Sequence, residues 1–421
     1  MKKIYNLNNL LNLFFITIFL NYCFFLYRII SRSNPWIVGD WLTNYENGLV
    51  RRGLFGEIFL SLIEITNFEV LNTLFIVICL FVFIFYYFSL KIIKQSEINY
   101  LYLLIIVSPA TYLFTFYDPL TTGRKEILIF VFFSYYIYSI KNELSFSSIN
   151  YNCLFFIIGI CLVLTHEIII FFMFFPLFIK FLLIENYKKN KFIFIKSDVS
   201  FIIGCIIGLI LVTSFSSSND PNTPYIICEK IISFNVNENV CNGPIKDTFL
   251  NQTIFLKVIN HTIYYIQNFN YFYYFYYFCL FLISIFFIFL FVEKPKQNRK
   301  IFLFFLFNII QIIFLLVLFI IVNDWGRYLN IYFITISLVL IKFFSFNIKY
   351  NNIFAKTLIL IFIISNTTLW HMPHCCSKKF GNGFFSLKER IQIRLNTANN
   401  YDDKPRQILI YFLNKFNKKN Y

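Results

Sequence analysis

The chain has 421 residues, 58% of them hydrophobic, 22% aromatic and only 14% charged, with a net charge of +16. An average soluble protein carries about 25% charged residues, and this sequence repeatedly runs for about 20 residues without an ionisable group, the length that crosses a bilayer core. A soluble globular fold is excluded, and the chain reads as an all-α, polytopic integral membrane protein. The 60 Phe and the excess of Ile, Asn and Lys over Ala indicate a strong coding bias, so single Lys, Asn and Phe signals are discounted.

Eleven apolar runs are predicted as spans: residues 7–30, 70–90, 99–117, 127–140, 151–164, 168–184, 199–215, 271–292, 301–322, 328–345 and 353–370. The first run is too long for a signal-peptide core and no small-residue cleavage pattern follows it, so it is expected to be a retained helix. Cytoplasmic loops are richer in Lys and Arg. With the N-terminus inside, the inner loops 1–6, 91–98, 141–150, 185–198, 293–300 and 346–356 hold 15 Lys and Arg in 57 residues. The outer loops 31–69, 118–126, 165–167, 216–270 and 323–327 hold 9 in 111. The expected orientation is therefore N-terminus cytoplasmic. Residues 1–370 form the bundle with its external loops. The basic tail 371–421 is expected outside, with an interfacial helix around 406–417 that sets Gln407, Tyr411, Asn414, Lys415 and Lys418 opposite Ile408, Leu409, Phe412, Leu413 and Phe416.

Polar chemistry is concentrated outside. His166, His261 and 13 of the 21 acids lie in the five outer loops, and His371 and His374 lie in the tail. The inner loops, with 14 Lys to 1 Arg, read as bare charge anchors, whereas the outer loops hold 4 Lys and 5 Arg (Arg32, Arg51, Arg52, Arg124 and Arg327). Lys and Arg anchor topology equally well, so Arg outside points to sites that need a planar fork for phosphate or carboxylate.

In the first outer loop, Asp40, Glu46 and the pair Arg51-Arg52 precede a stretch, Leu54–Thr66, that sets Glu57, Ser61 and Glu64 on one face. This predicts an amphipathic helix along the outer membrane surface, and together they could cradle a lipid-linked substrate. The competing account is an aromatic belt with snorkelling arginines. The second loop, Asp118 to Glu126, ends at a predicted helix N-terminus, where a Thr121 or Thr122 cap, Arg124 and Lys125 form a candidate diphosphate site. The third loop is only Thr165-His166-Glu167. A His-Glu pair at a membrane boundary is costly unless solvated or paired, so either His166 is a general base oriented by a carboxylate or Glu167 is itself the base. In the fifth loop, Asp324 and Arg327 stand at i, i+3. They pair as a simple cap, or Asp324 holds Arg327 as a second phosphate clamp.

Cys228 and Cys241 share the loop 216–270 and are expected to form a disulfide in an oxidising compartment. The run Trp370-His371-Met372-Pro373-His374-Cys375-Cys376 matches no standard zinc spacing, so no metal site is predicted.

The set Asp40-Trp41, Asn44-Tyr45, Gly48 to Leu54, Gly56-Glu57, Ser108-Pro109, Asp118, Gly123 to Glu126, His166-Glu167 and Asp324 to Arg327 resembles bacterial multi-spanning O-antigen or capsule repeat-unit polymerases. The resemblance implies glycan transfer between undecaprenyl-diphosphate-linked repeat units of a surface polysaccharide, such as lipopolysaccharide or capsule, at the outer face of the bacterial inner membrane. It implies the lipid bilayer, the lipid-linked glycan and a chain-length regulator as partners, no nucleic acid and no cofactor. Such chemistry needs a cationic clamp for the leaving diphosphate and a base for the acceptor hydroxyl. Arg51, Arg52, Arg124 and Arg327 are assigned to the diphosphate, His166 or Glu167 to the base, and Asp40, Glu46 and Asp118 to sugar hydroxyls. Three alternatives remain open: a polytopic lipid-phosphate-sugar-dependent glycosyltransferase that adds single sugars, a lipid-linked oligosaccharide flippase or exporter, and a non-catalytic scaffold of an envelope assembly, whose external motifs would tolerate alanine. The second predicts charges lining a mid-membrane cavity, and few appear.

Overall fold

The computed structural model describes residues 2–96, 105–108, 110–118, 121–140, 149–183, 191–214, 220–246, 298–321 and 324–344. The spans expected at 271–292 and 353–370, the tail 371–421 and its interfacial helix, His261 and the run 370–376 lie outside them.

Every regular element among the described residues is helical. The composition dictates this, because in hydrocarbon a backbone must satisfy its own N–H and C=O groups. The long elements are α1 (Lys2–Ile30), α2 (Gly53–Thr66), α3 (Val70–Gln95), α4 (Ile127–Ser139), α5 (Ile149–Thr165), α6 (Phe175–Leu183), α7 (Lys191–Ser214), α8 (Thr223–Ile232), α9 (Asn298–Ile321) and α10 (Trp325–Phe343). Five stretches are long and apolar enough to cross a membrane: Leu7–Ile30 in α1, Val70–Gln95, which is α3, Lys196–Ser214 in α7, Phe302–Phe319 in α9, and Trp325–Phe343, which is α10. The chain is a membrane protein of transmembrane helices.

α10 is the least apolar of the five and yet 89% of it is buried, against 28–39% for the others. It is the central post, and its polar side chains are satisfied internally. Asn330 donates to the carbonyls of Ala110 and Thr111 at 2.8 and 3.0 Å, and Tyr332 donates to Asn308 of α9. α3 packs along α1 and α4, and α5 packs most extensively on α7. The last pair approaches closely because Gly204 faces the Phe156 carbonyl with no room for a Cβ.

Two predicted spans are broken. Of 99–117, the described residues run from helix at 105–106 through turns at 110–113 into the single helical turn Phe114–Tyr117. Ser108 precedes Pro109, and the residue before a proline is steered away from helical geometry. The run 168–184 is a 3₁₀ turn, Glu167–Phe172, followed by α6. Pro176 stands in the first turn of α6, where a missing N–H costs nothing. α4 and α5 have 13 and 17 residues, or about 20 and 25 Å of helix, shorter than a core of about 30 Å.

α2 has three faces. Gly56, Phe59, Leu60 and Ile63 are buried against the bundle, Glu57, Ser61 and Glu64 form the polar face, and Ile58, Leu62 and Ile65 are exposed. An exposed apolar stripe beside a polar one is the pattern of a helix lying at the membrane interface.

Asp198 of the inner loop 185–198 is not a bare charge, and it pairs with Lys180 from within the predicted span 168–184. Lys180 of α6 lies 3.1 Å from Asp198 of α7 and donates to Ser197 at 3.0 Å, while Tyr136 of α4 donates to Asp198 at 2.6 Å. All four are buried, at the end of the bundle opposite the loops that carry Asp40, Arg52 and His166.

Candidate functional site

The chain reaches one end of the bundle at the exit of α1, the entries to α2, α3, α4 and α10, and the exit of α5. The outer motifs therefore meet there. After α1, Asn34 accepts from the Trp36 N–H at 3.0 Å and starts a π-helical turn, Pro35–Gly39, that runs into the short helix Asp40–Leu42. Asp40 is 1% exposed. The Trp41 indole N–H donates to the Gly123 carbonyl, and the Gly123 N–H donates to the Tyr22 hydroxyl at 2.7 Å. These contacts pin the first loop, the second loop and α1 together.

Arg52 sits in the left-handed region at φ 64°, immediately before α2. A non-glycine residue there is strained and persists only where surrounding contacts demand it. Its guanidinium grips both carboxylate oxygens of Glu167, with Nε at 3.0 and 2.9 Å and a terminal nitrogen at 2.6 Å, and lies 3.5 Å from Asp40. The buried Lys125 ammonium donates to the Arg52 carbonyl at 2.7 Å. Glu126 is the second hub. Its carboxylate pairs with Arg327, which also pairs with Asp324, and it lies 3.5 Å from the His166 Nε2.

Asp40, Arg52, Lys125, Glu126, His166, Glu167, Asp324 and Arg327 thus form one cluster, with Arg124 at its edge donating to the Trp36 carbonyl at 2.8 Å. Arg51 adds to the positive field on Glu167. Asp118 is buried nearby, and its carbonyl accepts from the Thr121 hydroxyl at 2.7 Å. Glu46 does not join the cluster. It lies 3.7 Å from Lys230 of α8, which also pairs with Glu64 of α2, in an exposed network at the surface. The expected helix cap by Thr121 or Thr122 is also absent, because Glu126 occupies that position without a side-chain bond.

The expected roles of His166 and Glu167 change. The His166 Nδ1 accepts from the Ile168 N–H at 3.4 Å and caps the 3₁₀ turn. Its neutral form therefore carries the proton on Nε2, toward Glu126. Burial, reinforced by Arg52, lowers its pKa to about 3. Burial acts against the Glu167 charge, but Arg52 outweighs it and holds the carboxyl well below the usual range. Both residues are poor bases and good organisers.

Burial also opposes the Asp40 charge, and the combined pull of Lys125, Arg52, His166 and Arg124 overrides it, leaving the carboxyl at about 2. Its Oδ2 is buried without a hydrogen-bond partner. Burial lowers the Lys125 ammonium to about 8, with Asp40 opposing that shift. The residue that sequence reasoning passed over is Glu126. It stood in the Gly123 to Glu126 motif, but nothing in its spacing disclosed partners 201 residues away.

Among the described residues, Arg124 and Lys125 are site cations whose hydrogen bonds go to neutral carbonyls alone. They precede the N-terminus of α4, whose dipole favours an anion. Beneath them, Arg124, Glu126, Arg327, Tyr22, Tyr86 and Tyr112 line a cavity of about 50 Å³, room for a few waters and no sugar.

The loop 220–246 braces the cluster. Cys228 and Cys241 are joined as a disulfide, as expected from their shared loop, with Cα atoms 5.7 Å apart. A Cβ on Gly39 would stand 2.6 Å from the Val240 carbonyl, so the segment carrying Asp40 lies directly on this loop. Asn47 donates to Asp220 and Thr223 at 2.9 Å each.

No family model matches this chain, and neither a curated protein nor a solved structure matches it.

Proposed function

We propose that the chain is a membrane glycosyltransferase-type polymerase that joins lipid-diphosphate-linked repeat units of a surface polysaccharide at the outer face of the bacterial inner membrane. The observation that carries the reading is the pairing of two kinds of unused hydrogen-bonding capacity. Among the described residues the hydrogen bonds of Arg124 and Lys125 go to carbonyls, and in the field of Lys125 the Asp40 carboxylate holds a buried oxygen that accepts no hydrogen bond. An anionic leaving group and an acceptor hydroxyl fill the two.

In this reading Arg124, Lys125 and the α4 N-terminus hold the diphosphate, and Arg52 and Arg327 complete the positive wall. Asp40 takes the proton of the acceptor hydroxyl. Its low pKa makes it a weak base. A diphosphate that draws the field of Lys125, Arg52 and Arg124 onto itself raises that pKa, so the base gains strength when the donor is present. Glu167, Glu126 and His166 hold the arginines. A cytoplasmic N-terminus, the orientation read from the loop charges, puts the exit of α1 and with it this end of the bundle outside, a side that suits the Cys228–Cys241 disulfide.

A single-sugar glycosyltransferase shares Asp40 and α2 and differs in its product. The flippase alternative has less support, because the described ionic clusters gather at the two ends of the bundle. The test is reconstitution of the purified chain with a lipid-diphosphate-linked repeat unit. A ladder that disappears in Asp40→Asn supports a polymerase, one added residue supports the alternative transferase, and no transfer at all overturns both.

A further inference from the structure

The geometry points to a binding groove for a polyisoprenoid chain on the membrane side of α4, between α3 and α5, with its outer end at the charge cluster. The inference rests on the proposed lipid-diphosphate substrate and adds where its hydrocarbon lies.

α4 is enclosed by its neighbours almost throughout. Ile129, Phe133, Tyr136 and Ile137 are buried, and Tyr135, 47% exposed, is the one exposed residue of this helix. Its least covered stripe is Leu128, Val131 and Tyr135, at i, i+3 and i+7, and the buried Phe132 lies beside them in the same lining. These residues form the floor of a groove of about 610 Å³ walled by Phe83, Ile84, Tyr87 and Phe88 of α3 and by Leu162 of α5. The lining is wholly apolar. From Leu128 to Tyr135 the floor runs about 10 Å along the helix axis, a slot rather than a closed pocket.

Position decides the occupant. Leu128 follows Lys125 and Glu126 by three and two residues, and Leu162 precedes His166 by one helical turn. The outer end of the slot therefore abuts the cluster in which Arg124 and Lys125, among the described residues, donate hydrogen bonds to neutral carbonyls alone. A molecule with a long apolar chain and a multiply charged phosphate head satisfies both ends at once. A neutral lipid leaves the cations unmatched, and a soluble nucleotide sugar leaves the slot unfilled. α4 begins directly after Glu126 and runs for 13 residues, about 20 Å, so the slot on its face starts at the level of the cluster.

The test measures binding, not turnover. The full chain in nanodiscs is titrated with a C55 polyisoprenyl diphosphate, with farnesyl diphosphate, with inorganic diphosphate and with the phosphate-free C55 alcohol. The C55 diphosphate is expected to bind at least tenfold more tightly than farnesyl diphosphate and the alcohol. Val131→Trp, which fills the slot, is expected to remove that advantage while leaving inorganic diphosphate unchanged. Val131→Ala and Leu162→Ala, which keep the helices packed, are expected to weaken the C55 compound a few-fold, whereas Ile58→Trp on the exposed stripe of α2 changes nothing. Equal affinity for long and short chains, or a slot-filled variant that still prefers C55, overturns the groove while the head-group site stands. An alcohol that binds as well as the diphosphate assigns the slot to bulk lipid, and a Val131→Trp effect on stability alone assigns it to another segment of this chain. Both results overturn the inference. If no diphosphate binds at all, the groove and the proposed function fall together.

Discussion

The Glu126–Arg327 pair offers the sharpest energetic prediction. Both side chains are 6% exposed, so solvent screening is small. Arg327→Met leaves the Glu126 carboxylate buried with only a neutral imidazole 3.5 Å away, and breaking a buried pair from one side costs about 3–5 kcal/mol. Glu126→Gln keeps the shape and leaves Arg327 its pair with the partly exposed Asp324, so its cost falls at the lower end, about 3 kcal/mol. The double variant strands no charge at Glu126, so its cost is expected to be no more than that of Arg327→Met alone, about 3–5 kcal/mol. The singles therefore do not add, and the expected coupling is about 3 kcal/mol. Reversible unfolding of the four proteins in one detergent, followed by tryptophan fluorescence, measures it. Costs that add to within about 0.5 kcal/mol would show that the two groups do not sense each other, and the cluster as described would be wrong.

Three further outcomes follow from the same geometry. Asp40→Asn is expected to reduce glycan transfer about 10²- to 10⁴-fold, the usual worth of a general base, with diphosphate binding retained. A loss confined to binding would move Asp40 from base to clamp. The protein is expected to be acid-labile in a defined window. His166 titrates at about 3 when folded, against about 6.5 unfolded. Asp40 titrates at about 2 when folded, against about 3.9 unfolded. In both cases the unfolded chain takes up its proton first as pH falls, so stability is full above pH 6.5 and declines toward pH 2–3. Asp40 accounts for about 2–3 kcal/mol of it, lost between about pH 4 and pH 2. Melting curves at pH 7, 5 and 3 check this, and a temperature midpoint that does not fall would contradict it. Reducing the Cys228–Cys241 disulfide is expected to cost roughly 2–3 kcal/mol, as for a short closed loop. It also loosens the brace on Gly39, so transfer falls with stability. Unchanged transfer in Cys228→Ser would show that the brace is not needed.

The membrane class was legible from composition, because long runs without ionisable groups leave a chain no other solvent. The gathering of Asp40, Arg52, Lys125, His166 and Arg327 was legible through sidedness, since loops on one end of a bundle are neighbours even when hundreds of residues apart in sequence. What hydropathy could not show was how each residue is used. His166 looks like a base in a short polar turn, and only the Ile168 N–H beside its Nδ1 makes it a cap. Glu126 reads as one charge in a basic motif until Arg327 arrives from α10. Lys180 lay within a predicted span and Asp198 at the edge of an inner loop, and nothing in hydropathy paired them with each other or with Tyr136 of a third helix. The broken runs at 105–118 and 167–183 fail for a related reason. Hydropathy reports that a segment prefers lipid, not that its helix is continuous, and Ser108-Pro109 and Pro176 carry the interruption.

The central claim is that the cations of this cluster act on a phosphate through forked hydrogen bonds rather than as membrane anchors. The most direct test is complementation of a deletion in the native host with Arg52→Lys, Arg124→Lys and Arg327→Lys, at verified membrane levels, reading the surface glycan length on a gel. A long-chain ladder that collapses to single repeat units, although every positive charge is kept, is the predicted result. An unchanged ladder would show that charge alone suffices, and the catalytic account of the site would fail.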